Sequence, residues 1–330
     1  MVLEEIINNI KAKKKRLDVF QPFPPEIISN LEDWFRVELT YTSNAIEGNT
    51  LSRQETSLVV EKGITVAGKS LKEHLEAINH VEALHIIKAL SENPKREITE
   101  NDILSLHQKI LQKIDDANAG KYRNVSVRIA GSMVVLPNPL KVSDLMTEFV
   151  KWLKGCKENV ISVAAEAHFR LVSIHPFVDG NGRTARLLMN LLLMRAGYPP
   201  AIIRKEDRLQ YIQSLEKGQL SGKKEDYEKL IYASVDRSLD LYLETLEGKE
   251  IPQEKERLLK IGELAKRTSE STATIRHWTH EGLLDVQKKT EAGYQLYRIE
   301  SVKRIQEIRK LQKEKRLTLP EIKKKFQKSL

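Results

Sequence analysis

Residues 175–186 read HPFVDGNGRTAR, and few twelve-residue segments restrict a backbone so closely. Pro176 disfavours the α conformation at His175, so a helix arriving through Ile174 stops there and leaves an imidazole on a loop, where its neutral form can accept a proton. Gly180 and Gly182 allow backbone angles closed to other residues. The apolar helix that follows, through Ala196, contributes free N–H groups and the positive end of its dipole. Asp179 offers an oxygen ligand of the kind Mg²⁺ takes beside substrate phosphates, and Arg183 and Arg186 add two forks for phosphate oxygens. The segment therefore joins two helices through a loop built for a polyanion.

The rest of the chain agrees with a helical frame. Apolar residues recur at helical spacing in 75-LEAINHVEALHIIKAL, 144-DLMTEFVKWLKG and 186-RLLMNLLLMRAG, which predicts a mostly α-helical fold. The exception, 125-VSVRIAGSMVVLPNP, has two β-rich runs around Ala130, Gly131 and Ser132 and predicts a β-hairpin. Charge and one proline interrupt the pattern near residues 248–257, which predicts a linker. Residues 251–330 hold 20 Lys and Arg against 11 Asp and Glu, while the remainder is balanced at 35 each. The whole excess of +9 therefore sits in a C-terminal module, as in many nucleic-acid binders or a solvated lysine tail. A single cysteine, Cys156, excludes an internal disulfide and suits a cytoplasmic protein. The first twenty residues read as neither signal peptide nor membrane span.

The 175–186 segment matches every specified position of H-P-F-x-D/E-G-N-G-R-x-x-R, and so resembles the motif of the Fic (filamentation induced by cAMP) family. The resemblance covers roughly residues 20–245 and implies a helical Fic domain. It further implies protein adenylyltransferase (AMPylation) activity, with ATP and Mg²⁺. His175 would be the general base toward a Ser, Thr or Tyr hydroxyl and Asp179 the Mg²⁺ ligand. Gly180, Asn181 and Gly182 would cradle phosphate, and Arg183 and Arg186 would hold the β and γ groups. The intact Gly-Asn-Gly favours AMP over UMP, phosphocholine or bare phosphate.

Upstream, 42-TSNAIEGNTLS places Ser43 and Glu47 on one face of a helical turn, with Gly48 suited to end it. Alone this is a helix terminus. Beside a Fic motif it resembles the family's inhibitory S/T-x-x-x-E-G/N, on a helix at about residues 40–50, with Glu47 paired to Arg186 where the γ-phosphate must go. In some relatives that glutamate also positions a water for AMP removal, so de-AMPylation stays open beside restraint. The resemblance makes the hairpin a flap that clamps the target as an added strand, through Val125, Val127, Ile129, Val134 and Leu136. The other helix-borne histidines, His74, His80, His85, His107 and His168, read as satisfied structural groups.

Residues 259–284 predict two short helices and a tight turn, capped at Ser271 or Thr272, followed by a two-strand wing. They resemble a MerR-type winged helix-turn-helix, with Thr272, Thr274 and Arg276 toward DNA. Ser269 and Gln295 depart from that pattern, at a turn glycine and a wing arginine. The chain given stops at Leu330, short of the long dimerisation helix of MerR regulators, so a homodimer would come from the Fic part. The resulting division is 1–100, an N-terminal helical region with the inhibitory helix; 101–247, the Fic core; 248–257, the linker; and 258–330, the winged helix-turn-helix. Expected partners are a protein substrate, with self-modification included, and DNA, with no membrane. The alternative is a DNA-binding transcription regulator whose Fic domain is a nucleotide-sensing dimerisation module.

Overall fold

The computed structural model describes residues 3–248, 258–289, 293–315 and 317–327. Residues 249–257, where most of the expected linker falls, lie outside the described residues. The chain divides into two compact units, residues 1–63 with 69–249 and residues 250–330 with 64–68.

Every regular element described in the first unit is a helix. The unit's axis is α8 (Asn181–Arg195), buried on every side from Arg183 to Leu191. A helix buried all round cannot lie on a surface, and neighbours enclose this one. α7 (Val160–Ile174) precedes it and packs along it, with α4 (Leu71–Ser91) and α5 (Glu100–Leu111) on other faces. α2 (Pro25–Ile46) and α3 (Arg53–Lys62) pack together and onto α4, and α6 (Val142–Gly155) lies on α7. α1 (Leu3–Asp18) runs along α10 (Glu225–Leu246), tied by Lys13 to Asp236 at 2.8 Å and Asp240 at 2.7 Å. α9 (Arg208–Ser221) packs against α10. Capping boxes at Ser52, Ser70 and Thr99 fix the starts of α3, α4 and α5.

The segment expected as a hairpin reverses direction but forms no strand. Gly131 takes φ +75° and Ser132 N–H donates to Ile129 O at 3.2 Å, which closes the turn. Its two arms make no ladder. The Arg123 guanidinium bridges them instead, donating to Val125 O at 3.1 Å and Pro137 O at 2.7 Å. A buried arginine between the arms occupies the carbonyls that a ladder would use.

The second unit holds β1 (Leu258–Lys260), α11 (Ile261–Thr268), α12 (Thr272–His280), β2 (Lys288–Lys289), β3 (Gln295–Arg298), α13 (Glu300–Lys315) and α14 (Leu319–Gln327). Its sheet has three antiparallel strands in the order β1-β3-β2, one more than the expected wing, because β1 pairs Leu259 with Tyr297. Leu264, Ile275, Trp278, Tyr297 and Ile308 form its core. Ser271 caps α12, accepting from Thr274 N–H at 3.0 Å. Ser269 holds φ +56°, the left-handed angle for which a glycine would serve best.

Candidate active site

α7 ends at Ile174, and His175 turns into the left-handed region at φ +51°, ψ +58° while its N–H still donates to Leu171 O at 2.9 Å. A non-glycine residue keeps such an angle only where its surroundings hold it. Here Arg123 holds it: Nε donates to His175 O at 2.8 Å, and its own N–H donates to Pro176 O at 2.9 Å. The imidazole is half-buried, with Nδ1 3.3 Å from Val172 O. A carbonyl only accepts, so Nδ1 carries the proton and Nε2 keeps a free lone pair. Burial, with Arg123 nearby, lowers the His175 pKa, so the ring is neutral at pH 7 as a proton acceptor must be.

Two residues stiffen the loop that follows. Asn181 spends its side-chain amide on Phe177, accepting from its N–H at 3.0 Å and donating to its carbonyl at 2.9 Å. What remains of Asn181 for an anion is its main-chain N–H in the first turn of α8. His107 stacks on Phe177 with ring centroids 3.6 Å apart, accepts from Gly120 N–H at 3.0 Å and donates to Asp179 O at 2.9 Å. Its pKa is pushed down to about 4, first by burial, which keeps both bonds in one tautomer. Gly180 caps α8 at φ +77°, as its place in the motif anticipates. Gly182 does not use an unusual angle. It is needed for space, because a Cβ there would run into the Glu47 carboxylate and press on Arg186.

Ser43 and Glu47 reach the same place from α2. That helix ends in a Schellman motif: Asn49 N–H donates to Asn44 O at 3.0 Å and Gly48 N–H to Ala45 O at 3.1 Å, with Gly48 at φ +98°. Glu47 is thereby fixed as the capping residue. Its carboxylate accepts from Arg186 Nη2 at 2.7 Å, while Arg186 Nε donates to Ser43 Oγ at 3.0 Å and Nη2 to Ser43 O at 2.9 Å. Arg186 is 5% exposed, so this charge sits in the interior with one carboxylate beside it. Arg183, 2% exposed, lies 3.3 Å from Glu76 and 3.5 Å from Asp179, yet its Nε and Nη1 make no hydrogen bond. Two carboxylates flank this guanidinium without satisfying those nitrogens, so an anion with better-placed oxygens can compete for them beside the N–H groups that open α8.

Residues 97–193 match the Fic/DOC family model, and residues 259–329 match that of the MerR HTH family regulatory protein. A solved Fic domain containing signaling protein from Bacteroides thetaiotaomicron is 31% identical, with a TM-score of 0.67 over 74% of this chain and 99% of that one. The chain belongs to the Fic family. Fic-1 (aa134–508) from C. elegans, also 31% identical with a TM-score of 0.67, covers 74% of this Fic chain and is matched over 73% of its own. Among curated relatives, the protein adenylyltransferase Fic of Drosophila grimshawi is 43% identical over 206 residues and that of Aedes aegypti 41% over 210. This Fic chain spans 42% of the length of each.

In this Fic protein the flap alternates between two faces. Val127, Ile129, Val134 and Leu136 are half-buried, whereas Val125, at 51%, Met133, at 80%, and Val135, at 92%, stand exposed. Of the five residues expected to meet a target, Val125 alone is exposed; Met133 and Val135, on the other arm, are exposed as well. The Glu216 carboxylate on α9 holds the tip, accepting from Ser132 Oγ at 2.7 Å and Met133 N–H at 2.9 Å. His107, Arg123 and Glu216 were not singled out from sequence for this site; a histidine in a helical pattern gives no sign that it faces a loop 72 positions away.

The Asp179 side chain is 52% exposed and no three potential metal ligands cluster among the described residues. One open carboxylate next to the first turn of α8 fits Mg²⁺, which takes one or two carboxylates and completes its shell with phosphate and water. In the second unit Arg276 is exposed on α12, Thr272 is half-exposed at its start, and the Thr274 hydroxyl is tied to Ser271 Oγ at 2.8 Å. No helix among the described residues is long and apolar enough to cross a membrane.

Proposed function

We propose that this chain is a cytoplasmic protein adenylyltransferase that moves AMP from ATP to a Ser, Thr or Tyr hydroxyl and is restrained by Glu47. The observation that carries this reading is the juxtaposition at the start of α8: Arg186, within that helix, is held by the Glu47 carboxylate at the end of α2, beside the loop that carries a neutral His175. The curated relatives bear the name protein adenylyltransferase, which supports the reaction class.

The chemistry follows from the atoms present. His175 Nε2 takes the proton of the target hydroxyl as its oxygen bonds to the α-phosphorus, and the bond from that phosphorus to the β-phosphate oxygen breaks, releasing pyrophosphate. Such a base contributes about 10²–10⁴-fold. Main-chain N–H groups of Asn181, Gly182 and Arg183 and the two guanidinium groups receive the phosphates and align the α-phosphate with the attacking oxygen. Asp179 would hold Mg²⁺, which neutralises phosphate charge when bound. Glu47 over Gly182 competes for that space, and the open face of the flap receives an extended target segment.

Incubation of Glu47→Gly with a cell lysate and ATP labelled at either the α- or the γ-phosphate tests the reaction. α-Label transferred above the level of a Glu47→Gly/His175→Ala control is expected, with γ-label no higher than that control. γ-Label above the control would make the protein a kinase and end this reading. A second reading, DNA binding through the C-terminal unit of a homodimer, is favoured by the MerR match and the exposed Arg276. Selection from a random duplex library at two salt concentrations, with Arg276→Ala as control, tests it. No enriched sequence would reject it.

A further inference from the structure

Arg186 has anchors of two kinds. Ser43 and Glu47 ride on α2, the helix that carries the restraint. Tyr211 comes from α9, and its hydroxyl lies 3.4 Å from Arg186 Nη1. Behind Tyr211 the polar contacts continue into the core: Tyr211 Oη to His168 Nε2 at 2.9 Å, His168 Nδ1 to Tyr227 Oη at 2.8 Å, and Tyr227 Oη to Ala165 O at 2.9 Å. His168 is 0%, Tyr227 1% and Tyr211 3% exposed, so water does not offer these groups alternative partners.

Only one arrangement of protons satisfies every contact. Ala165 O can only accept, so Tyr227 gives it its single proton and must accept from His168 Nδ1–H. His168 Nε2 is then bare and takes the Tyr211 proton, which turns the Tyr211 oxygen lone pairs toward Arg186. Burial supports this order, lowering His168 to about 3 and raising both tyrosines, so all three groups are neutral. The sequence reading of His168 as a satisfied structural histidine is correct as far as it goes, but its partners lead to the site.

We propose that Tyr211, oriented by His168 and Tyr227, is a positioning residue that keeps the Arg186 guanidinium in its phosphate-binding place when Glu47 lets go. It is the one of these anchors that does not ride on α2. Arg186 is thus already in position when ATP arrives, and release of restraint requires the departure of a carboxylate rather than rebuilding of the phosphate site. The proposal rests on the assignment of Arg186 to the β- and γ-phosphates made above.

The test is nucleotide affinity, measured by titration calorimetry with excess Mg²⁺ in a Glu47→Gly/His175→Ala parent, which cannot consume the ATP. The parent binds ATP more tightly than AMP, because only ATP reaches Arg186. Adding Tyr211→Phe weakens ATP by about tenfold, the scale of one hydrogen bond to a charged group, and leaves AMP unchanged. Tyr227→Phe, two steps removed and with its ring packing kept, weakens ATP by about two- to threefold and serves if Tyr211→Phe does not fold. Equal losses for ATP and AMP, or no loss for either, would overturn the positioning role alone. A parent that binds ATP no better than AMP would overturn the phosphate assignment, and the proposal with it.

Discussion

The loop at 175–182 and the segment at 123–138, the proposed flap, share Arg123 but are built in opposite ways. In the loop, side chains bind main chain at nearly every step: Arg123 to His175, Asn181 to Phe177, and His107 to Asp179. The flap is held at its base by Arg123 and at its tip by Glu216, with unladdered arms and exposed apolar side chains between. Proton transfer and phosphate alignment tolerate little displacement. Recognition of an extended segment needs open backbone groups and a few apolar contacts. On the proposed function, the denser side-chain bracing falls on the loop where atoms would react, and the sparser on the segment that would meet a partner.

The largest effect that would break this comparison is at the base. In a Glu47→Gly background, His175→Ala is expected to lower transfer by at least about 10²-fold, read as α-label incorporated over time. Next comes the loop frame. Asn181→Ala strands the buried N–H and carbonyl of Phe177, a loss of about 1–3 kcal/mol, measured as a lower denaturant midpoint together with slower transfer. A comparable loss of stability without slower transfer would show that the loop does not need its rigidity.

Acid should act on the core around the loop and leave the flap out. His80, His107 and His168 are buried, and burial depresses their pKa values to about 3, 4 and 3. Below pH 6.5 the unfolded chain binds protons that the folded one refuses, so stability is full above that value. It then falls as pH drops toward 4, by about 1 kcal/mol per pH unit for each histidine. Denaturant titrations at pH 7 and 5 check this, and His107→Gln should flatten the slope. The smallest effect is expected at the flap tip. Glu216→Ala leaves the unfolding midpoint unchanged but changes which lysate proteins take up label, whereas an unchanged pattern would argue that the tip plays no part in selection.

What could be read from sequence divides along the same line. That His175, Asp179 and Arg186 gather around one loop and helix start was legible because Pro176 and Gly180 set the turn between α7 and α8. Glu47 was read only through the resemblance, since alone its segment is a helix terminus; the pairing with Arg186 that the resemblance implied is present at 2.7 Å. Gly182 was read as a matter of backbone angle and turned out to be one of space, since the carboxylate above it comes from residue 47. The frame residues His107 and Arg123 act across long separations in sequence, which no local pattern encodes. In the flap, β-rich composition was legible but pairing was not, because an arginine outside the β-rich run took the carbonyls.

The central claim is that Glu47 occupies the phosphate place of a working site. Intact-protein mass spectrometry after incubation with Mg-ATP tests it most directly, comparing the unaltered chain, Glu47→Gly and Glu47→Gly/His175→Ala. An added AMP on Glu47→Gly, little on the unaltered chain and none on the double variant is the predicted result. Equal adducts on the unaltered chain and Glu47→Gly, or an adduct that survives loss of His175, would contradict it.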